Sequence, residues 1–191
     1  MSFKLGTTNN RAILIQDENY YDVEKTSEGK ISSDSVQALE SMEELKKLAS
    51  SLADFTPSGK LSEIKLGNPV PSSKNSYAVG LNYKGHAEEG GMEIPEVPMV
   101  FTKHTSCFVG PKDNVELRSD FVDYEAELVV VIGKGGKDIK EENGWEHVAG
   151  MCVGQDISDR PAQFATQPPM FNLGKSFDTF GPMGPYLVCL L

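Results

Sequence analysis

Two glutamates in the segment VDYEAELVVVIGK, residues 122–134, are the first candidates for chemistry. Glu125 and Glu127 stand two residues apart, so on a strand both side chains point to one face, roughly 6.6–6.8 Å apart at the backbone. The apolar run at 128–132 shows no polar alternation, which is typical of a buried strand. Two buried carboxylates need a cation or protonation, because they repel each other and lose hydration. The segment predicts either an acidic outer face or a site for Mg²⁺, Mn²⁺ or Ca²⁺, which prefer oxygen ligands.

Asp156 is the best candidate for a third ligand. It directly follows the apolar segment AGMCVGQ, residues 149–155, where a carboxylate at a strand end can face the first pair. The alternative is a cap or turn role, although Ser158 and Asp159 in the same DISDR segment also suit that work.

Two further segments carry residues that could act on a substrate. His86 and Glu89 stand three apart in NYKGHAEEGG, so they share one face of a helical turn. A carboxylate that holds a histidine fixes its tautomer and makes it a base that can activate water; the alternative is a surface histidine beside a charged loop. Lys175 could stabilise negative charge that develops on a substrate, or it could be a solvated loop lysine.

The elements that position these residues are mostly strands. The early segments RAILIQ and YYDVEK predict two strands, and the apolar positions between residues 33 and 55 predict one helix that begins at Ser33 or Asp34. The stretch 57–75 is rich in Gly, Pro and Ser, which predicts a short strand plus a linker and a boundary near residue 70. From residue 76 onward, regular strand candidates with little helix between them predict a β-rich second unit: YAVGLNY, MVFTKHTSCFVG, ELVVVIGK, VAGMCVGQDIS and PYLVCLL.

Composition excludes some classes of partner. The 191-residue chain has a net charge of −10 and a pI near 4.8, which argues against nucleic acids and anionic membrane surfaces. Neither a signal peptide nor a membrane-spanning segment is predicted. The three cysteines, Cys107, Cys152 and Cys189, form no disulfide or zinc pattern and are expected to be small core residues. We therefore expect a reducing compartment, cytoplasmic by default, with an organelle as the alternative.

Read in order, five segments resemble the fumarylacetoacetate hydrolase family, and most closely its small members. They are GLNYKGHAEE, PMVFTKHTSCFVGP, DYEAELVVVIGK, GMCVGQDISDRPAQ and GKSFDTFGPMGPYLV, and they cover about residues 76–188. The resemblance implies an α+β, mainly β fold: a fumarylacetoacetase-like β-roll or barrel-like sandwich at 71–191, with a small, variable α+β region and linker at 1–70. It also implies a homodimer.

The resemblance also implies roles for the candidate residues. It implies that Glu125, Glu127 and Asp156 bind Mg²⁺ or Mn²⁺, and that His86 and Glu89 form a dyad on a lid, which Gly90 and Gly91 would let close. It implies that Lys175 contacts the substrate and that Arg160, Gln163 and Thr179 lie near it.

The implied activity is metal-dependent hydrolysis of a C–C bond in a β-diketo acid such as an acylpyruvate. Oxaloacetate decarboxylation and keto-acid isomerisation are the alternatives within the family. Domains of the family normally continue beyond GPYLVCLL, so we expect a domain that is incomplete at its C-terminus. A sheet without its last strands exposes an unpaired edge, which leaves open a role of another class: an inactive, truncated form that binds a partner through that edge.

Overall fold

The fold is built mainly from strands, as shown by a computed structural model that describes residues 2–89, 91 and 93–190, with His86 described in its backbone alone. Within these residues the twelve strands are β1 (Ser2–Thr8), β2 (Arg11–Gln16), β3 (Asn19–Asp22), β4 (Gly59–Lys60), β5 (Tyr77–Gly80), β6 (Met99–Thr102), β7 (Phe108–Val109), β8 (Val122–Asp123), β9 (Ala126–Ile132), β10 (Val148–Gln155), β11 (Ser158–Asp159) and β12 (Gly181–Leu190). The helices are short: α1 (Val23–Thr26), α2 (Ser35–Glu40), α3 (Met42–Ser50), α4 (Lys84–Glu89), α5 (Arg160–Gln163) and α6 (Phe171–Gly174). Single 3-10 turns lie at Leu52–Asp54, Leu61–Glu63 and Thr105–Cys107, and a longer 3-10 segment lies at Glu141–His147.

The strands form open sheets. Seven pair in the order β4-β3-β2-β1-β12-β10-β9, and β7 adds to β12 in parallel to complete an eight-stranded sheet. Two small sheets pair β11 with β8 and β5 with β6. The predicted α+β, mainly β class is confirmed, and no sheet among the described residues closes on itself. Nor does any described helix have the length and apolar character needed to cross a bilayer.

The N-terminal strands share the large sheet with the C-terminal one. The β1–β2 hairpin turns at Asn9 and Asn10, whose φ values of 49° and 58° suit the two-residue turns that match strand twist. On its other side β1 pairs with β12, with Phe3 opposite Cys189. The proposed boundary near residue 70 therefore does not separate two sheets, and the division into 1–70 and 71–191 stays a prediction.

The predicted single helix is two helices. Asp34 caps α2 by accepting a hydrogen bond from the Gln37 N–H at 2.9 Å, which confirms one of the two predicted caps. The chain breaks at Ser41, where ψ is 44°, before α3 begins. Leu45 and Leu48 of α3 are buried in the core against the large sheet.

The three cysteines are core residues, as predicted. Cys152 and Cys189 belong to the main core, and Cys107 belongs to a smaller cluster with Ile157 and Phe180. Burial disfavours the thiolate, so it raises the pKa of Cys152 to about 11 and that of Cys189 to about 12.

Strand β9 is not continuously buried, so that prediction was wrong. Alternate residues Val129 and Val131 pack against the core, whereas Leu128 and Ile132 are 57% and 61% exposed. Only one face of β9 packs against the core, and its other face, although equally apolar, stays exposed. We define the apolar outer face as Leu128, Val130, Ile132 and, on β10 opposite Leu128, Val153.

Candidate functional site

The predicted acidic residues lie at the adjoining ends of β9 and β10. The Asp156 N–H donates to the Glu125 carbonyl at 2.8 Å, and one step further into the sheet Glu127 lies opposite Gly154. Residues that lie opposite each other in an antiparallel pair share a face, and so do residues two apart on a strand. The register therefore places Glu125, Glu127 and Asp156 on one face of the sheet, the face that also covers the core.

A buried lysine joins two of these carboxylates. Lys175 is 2% exposed, and its Nζ donates to Glu125 Oε2 at 2.8 Å, to Asp156 Oδ2 at 2.9 Å and to Ser158 Oγ at 2.8 Å. The alternative of a solvated loop lysine is thereby excluded. All three ammonium hydrogens are directed at these partners, so the side chain is held in one position.

Close packing of two short helices sets the position of Lys175. The residue directly follows α6, and the preceding Gly174 packs onto α5 so tightly that a Cβ there would lie 2.6 Å from the Gln163 backbone. Only glycine permits this approach. Gln163 is buried, and its Oε1 accepts a hydrogen bond from Arg160 at 2.9 Å.

Arg160 adds a second cation, which pairs with the other carboxylate oxygen of Glu125. Its guanidinium donates to Glu125 Oε1 at 2.9 Å and to Asp123 Oδ2 at 2.7 Å. Burial opposes the charged form, but the bonds to Asp123 and Glu125 raise the pKa of Arg160 overall. The hydrogen bond from Arg160 in turn lowers the pKa of Asp123. Both groups therefore stay ionised across the physiological range.

Lys103 is a member of the cluster that the sequence did not single out. It follows β6 directly and is 6% exposed. Its Nζ donates to Asp156 Oδ1 at 2.8 Å, to the Phe180 carbonyl at 3.1 Å and to the Lys175 carbonyl. The available signal was a lone charge inside the otherwise apolar and neutral stretch MVFTKHTSCFV.

These contacts form one ionic cluster, which we define as Lys103, Asp123, Glu125, Asp156, Arg160 and Lys175. Three cations face three carboxylates, each carboxylate within hydrogen-bond distance of at least one cation. Buried charges are tolerated when they are paired in this way. Four of its members, Glu125, Asp156, Arg160 and Lys175, are residues that the sequence predicted for the site, so we take this cluster as the candidate site.

The acidic residues fit a divalent cation by donor type. Carboxylate oxygens are the ligands that Mg²⁺, Mn²⁺ and Ca²⁺ prefer, and the register places three carboxylates on one face. Across the described residues, however, no three His, Cys, Asp or Glu side chains are gathered closely enough to hold an ion, and the oxygens of Glu125 and Asp156 accept from cationic side chains instead. The assignment of Glu125, Glu127 and Asp156 as ligands stays a prediction.

The other predicted site residues are placed less fully. His86 and Glu89 lie on α4, which confirms the expected helical turn, but the His86 side chain and Gly90 lie outside the described part of the chain. Glu89 is exposed, and the dyad stays a prediction. The Thr179 hydroxyl accepts from the Glu116 N–H at 2.7 Å, so the structure does not bring it into the ionic cluster.

An aromatic wall borders the cluster. The Phe101 ring lies 5.6 Å from Lys175 Nζ and 5.6 Å from the Phe171 ring, which in turn contacts Phe164. A cavity of about 400 Å³ opens on this wall, lined by Met99, Val100, Phe101, Thr102, Pro169, Phe171 and Asn172. A smaller cleft of about 260 Å³ lies at α1 and residues 55–58. No cluster residue lines either opening, but the larger cavity is lined by Phe101, whose ring lies 5.6 Å from Lys175 Nζ, so it is the better candidate for holding a substrate.

Comparison with known proteins gives consistent matches. The sequence model of the fumarylacetoacetate hydrolase C-terminal domain matches residues 75–190. The Dictyostelium discoideum homolog of fumarylacetoacetate hydrolase domain-containing protein 2 is 45% identical over 126 residues, which are 65% of this chain and 41% of that protein. The human mitochondrial oxaloacetate tautomerase is 44% identical over 129 residues, 66% of this chain and 41% of that protein. The chain thus spans about two fifths of the length of these relatives.

Solved structures agree on the fold. The fumarylacetoacetate hydrolase of Exiguobacterium antarcticum matches with a TM-score of 0.72 and 26% identity, over 99% of this chain and 66% of that one. A maleylpyruvate hydrolase from Sphingobium, solved with manganese(II) and pyruvate, matches with a TM-score of 0.77 and 22% identity, over 97% of this chain and 67% of that one. At that identity the second match supports the fold alone.

Proposed function

This chain belongs to the fumarylacetoacetate hydrolase family, and from that premise we propose that it is a metal-dependent enzyme that acts on a small keto acid through an enolate. The observation that carries the proposal is the buried Lys175 ammonium held between Glu125 and Asp156. Enolate formation is the step shared by tautomerisation, decarboxylation and C–C hydrolysis of such acids. We take oxaloacetate as the first substrate to test, because the relatives between 43% and 44% identical include oxaloacetate tautomerases.

The mechanism assigns separate tasks to the residues. Glu125, Glu127 and Asp156 would hold a divalent cation, which when bound supplies polarisation of the substrate's 2-oxo group. The Lys175 ammonium stabilises negative charge on that oxygen through its positive potential, since its three donors are held by Glu125, Asp156 and Ser158. Together with a bound divalent cation, Arg160 and Lys175 would outweigh the local carboxylates and give a positive potential that attracts the carboxylates of the acid.

Tautomerisation moves one proton from C3 of the keto acid to its 2-oxo oxygen. His86, held by Glu89, is the proposed base at C3, because a histidine oriented by a carboxylate is basic near neutral pH. For an acylpyruvate, the same base would activate water at the second carbonyl, and Lys175 would stabilise the charge left after the C–C bond breaks. The cavity beside Phe101 and Phe171 would hold the acyl chain.

A substrate panel tests the proposal. Purified chain is assayed for enol–keto exchange and decarboxylation of oxaloacetate and for loss of acylpyruvates, with Mg²⁺ or Mn²⁺ and with chelator. Metal-dependent turnover that Lys175→Met abolishes and Lys30→Met preserves is the expected result; Lys30 is an exposed control that pairs only loosely with Glu28, at 3.8 Å. Absence of turnover on every substrate would contradict the enzymatic assignment. The compartment stays a prediction: cytoplasm, with an organelle as the alternative.

A role in binding a partner is the second candidate, and the apolar outer face favours it. Leu128, Val130 and Ile132 lie on the terminal strand of the large sheet and expose apolar surface that a folded protein normally covers. We propose that a second copy of the chain covers it. The segment 128–132 carries no charge in a chain whose net charge is −10, so it is a place where two copies can meet with little repulsion. Two copies that pack this same face against each other also satisfy two-fold symmetry.

Light scattering coupled to size-exclusion chromatography tests this second candidate. The wild-type chain is expected to be dimeric and Leu128→Lys monomeric, because a charge on the covered face is costly to desolvate. The matched control is Leu117→Lys, at a leucine 69% exposed that lies outside this face. A monomeric wild type, or a Leu128→Lys variant that stays dimeric, would contradict the proposed interface. Association with a longer relative in place of self-association would likewise reject the second copy as the occupant.

A further inference from the structure

We propose that Lys103 is a positioning residue of the site: its ammonium orients the Asp156 carboxylate and the main chain at Lys175. The proposal rests on the proposed keto-acid function for its meaning in catalysis, but its structural content stands separately. Lys103 and Lys175 are the two buried lysines among the described residues. Lys175 Nζ bonds Glu125 and the Oδ2 atom of Asp156, whereas Lys103 Nζ bonds the other oxygen of the same carboxylate, Asp156 Oδ1.

The three bonds of Lys103 reach three separate segments. One goes to the Asp156 carboxylate at the end of β10, one to the carbonyl of Lys175 after α6, and one to the carbonyl of Phe180 before β12. An ammonium has three donors, so none is left for solvent or substrate. Lys103 therefore acts through Asp156 and Lys175 rather than on a substrate directly.

The place of Lys103 in the chain extends this effect. It follows β6, which pairs with β5 in a two-stranded sheet separate from the large one, and α4 lies between these two strands. The side chain is thus a buried ionic link between the unit at 77–102 and the carboxylate of Asp156. The next residue adds a weaker link, since the His104 N–H donates to Ser176 Oγ at 3.0 Å. Lys103 couples the unit that carries α4 to the centre of the site.

Two substitutions of Lys103 test its role. Lys103→Met removes the ammonium and keeps the length of the side chain, and Lys103→Ala leaves room for a small amine from solution. We expect kcat on oxaloacetate to fall by about 10–100-fold, as for groups that orient a ligating side chain, while KM changes by less. Added ethylammonium should raise the kcat of Lys103→Ala several-fold and leave the kcat of the exposed control Lys30→Met unchanged. Only Lys103→Ala has a buried gap that a small amine can fill.

A readout on the metal-free protein keeps the inference separate from the activity. In Lys103→Met, amide hydrogen exchange should accelerate by about 10-fold or more in peptides covering 77–104 and 175–180, and stay unchanged in 2–22, because local openings follow local contacts. If wild type turns over no keto acid, the proposed function fails and this exchange pattern alone decides the role of Lys103.

The remaining outcomes each support or overturn the positioning role of Lys103. A folded Lys103→Met variant with wild-type kcat and exchange would overturn the proposal. A loss of kcat in Lys103→Ala that ethylammonium does not relieve would also overturn it, since a missing cation is then not the cause. If Lys103→Met fails to fold, the decision passes to Lys103→Ala refolded with ethylammonium: recovery of a cooperative fold supports the proposal, and no recovery rejects it.

Discussion

Replacing Lys175 by Met should destabilise the protein and yet strengthen its binding of a divalent cation. The ammonium bonds Glu125 and Asp156 at 2.8 and 2.9 Å, and it is 2% exposed. Removing one partner of a buried pair costs about 3–5 kcal/mol when the other charge is left alone. Here Glu125 keeps Arg160 and Asp156 keeps Lys103, so we expect a smaller loss of about 1.5–3 kcal/mol, the scale of hydrogen bonds to charged groups.

The gain in cation affinity has the same origin. Without Lys175, a positive charge is missing between two carboxylates that repel each other, so a divalent ion meets less repulsion and more attraction there. A tenfold tighter affinity would add about 1.4 kcal/mol of stability at saturating metal. Mn²⁺ should therefore raise the free energy of unfolding of Lys175→Met by more than it raises that of wild type, although the variant loses turnover.

Urea denaturation with Mn²⁺ and with chelator measures both effects in one experiment. The control Lys30→Met should change the free energy of unfolding by no more than about 0.5 kcal/mol, as exposed substitutions do. Equal stability of Lys175→Met and wild type in chelator would refute the buried pairing. An equal or smaller Mn²⁺ effect in the variant would refute the idea that the lysine and the metal share the same carboxylates.

Three further predictions concern the rest of the fold. Burial alone would raise the pKa of Asp22, but hydrogen bonds from Arg11 and Lys25 lower it overall. Asp22 therefore contributes stability that is present above its unfolded pKa near 3.9 and is lost as pH falls through the folded pKa. In acid titration, the free energy of unfolding of Asp22→Asn should fall less steeply below about pH 4 than that of wild type. Cys152 and Cys189, with pKa values raised to about 11 and about 12, should react with iodoacetamide far more slowly in the native than in the denatured chain, as followed by mass spectrometry. Gly174→Ala should lower the thermal midpoint by several degrees in calorimetry, because its Cβ would lie 2.6 Å from backbone; an unchanged midpoint would show that α6 can shift.

Local spacing predicted that Glu125 and Glu127 share a face, and the register agrees. The choice of Asp156 as their partner rested also on the resemblance to the family, because no local pattern pairs two separate strands. The structure sets Asp156 beside Glu125. The cap at Asp34 was equally local, since a cap and the N–H that it accepts from are three residues apart.

Two kinds of feature could not be predicted from the sequence: contacts between residues far apart in the chain, and the exposure of a surface, which depends on what covers it. Lys103 meets Asp156 across 53 residues of chain, and no spacing rule predicts such a contact. The exposure of Leu128 and Ile132 was missed because an uninterrupted apolar strand has the same pattern whether one face or both are covered. The break at Ser41 was missed because the apolar spacing continues across it.

Titration of the metal-free protein with Mn²⁺ by calorimetry tests the central claim most directly. We expect one divalent site in wild type and in the control Glu40→Gln, whose side chain is exposed on α2. In Glu125→Gln the affinity should fall by about tenfold or more, because one of few charged oxygen ligands is lost. Unchanged affinity in Glu125→Gln, or no Mn²⁺ binding by the wild-type chain, would contradict the claim that these strand-end carboxylates form a metal site.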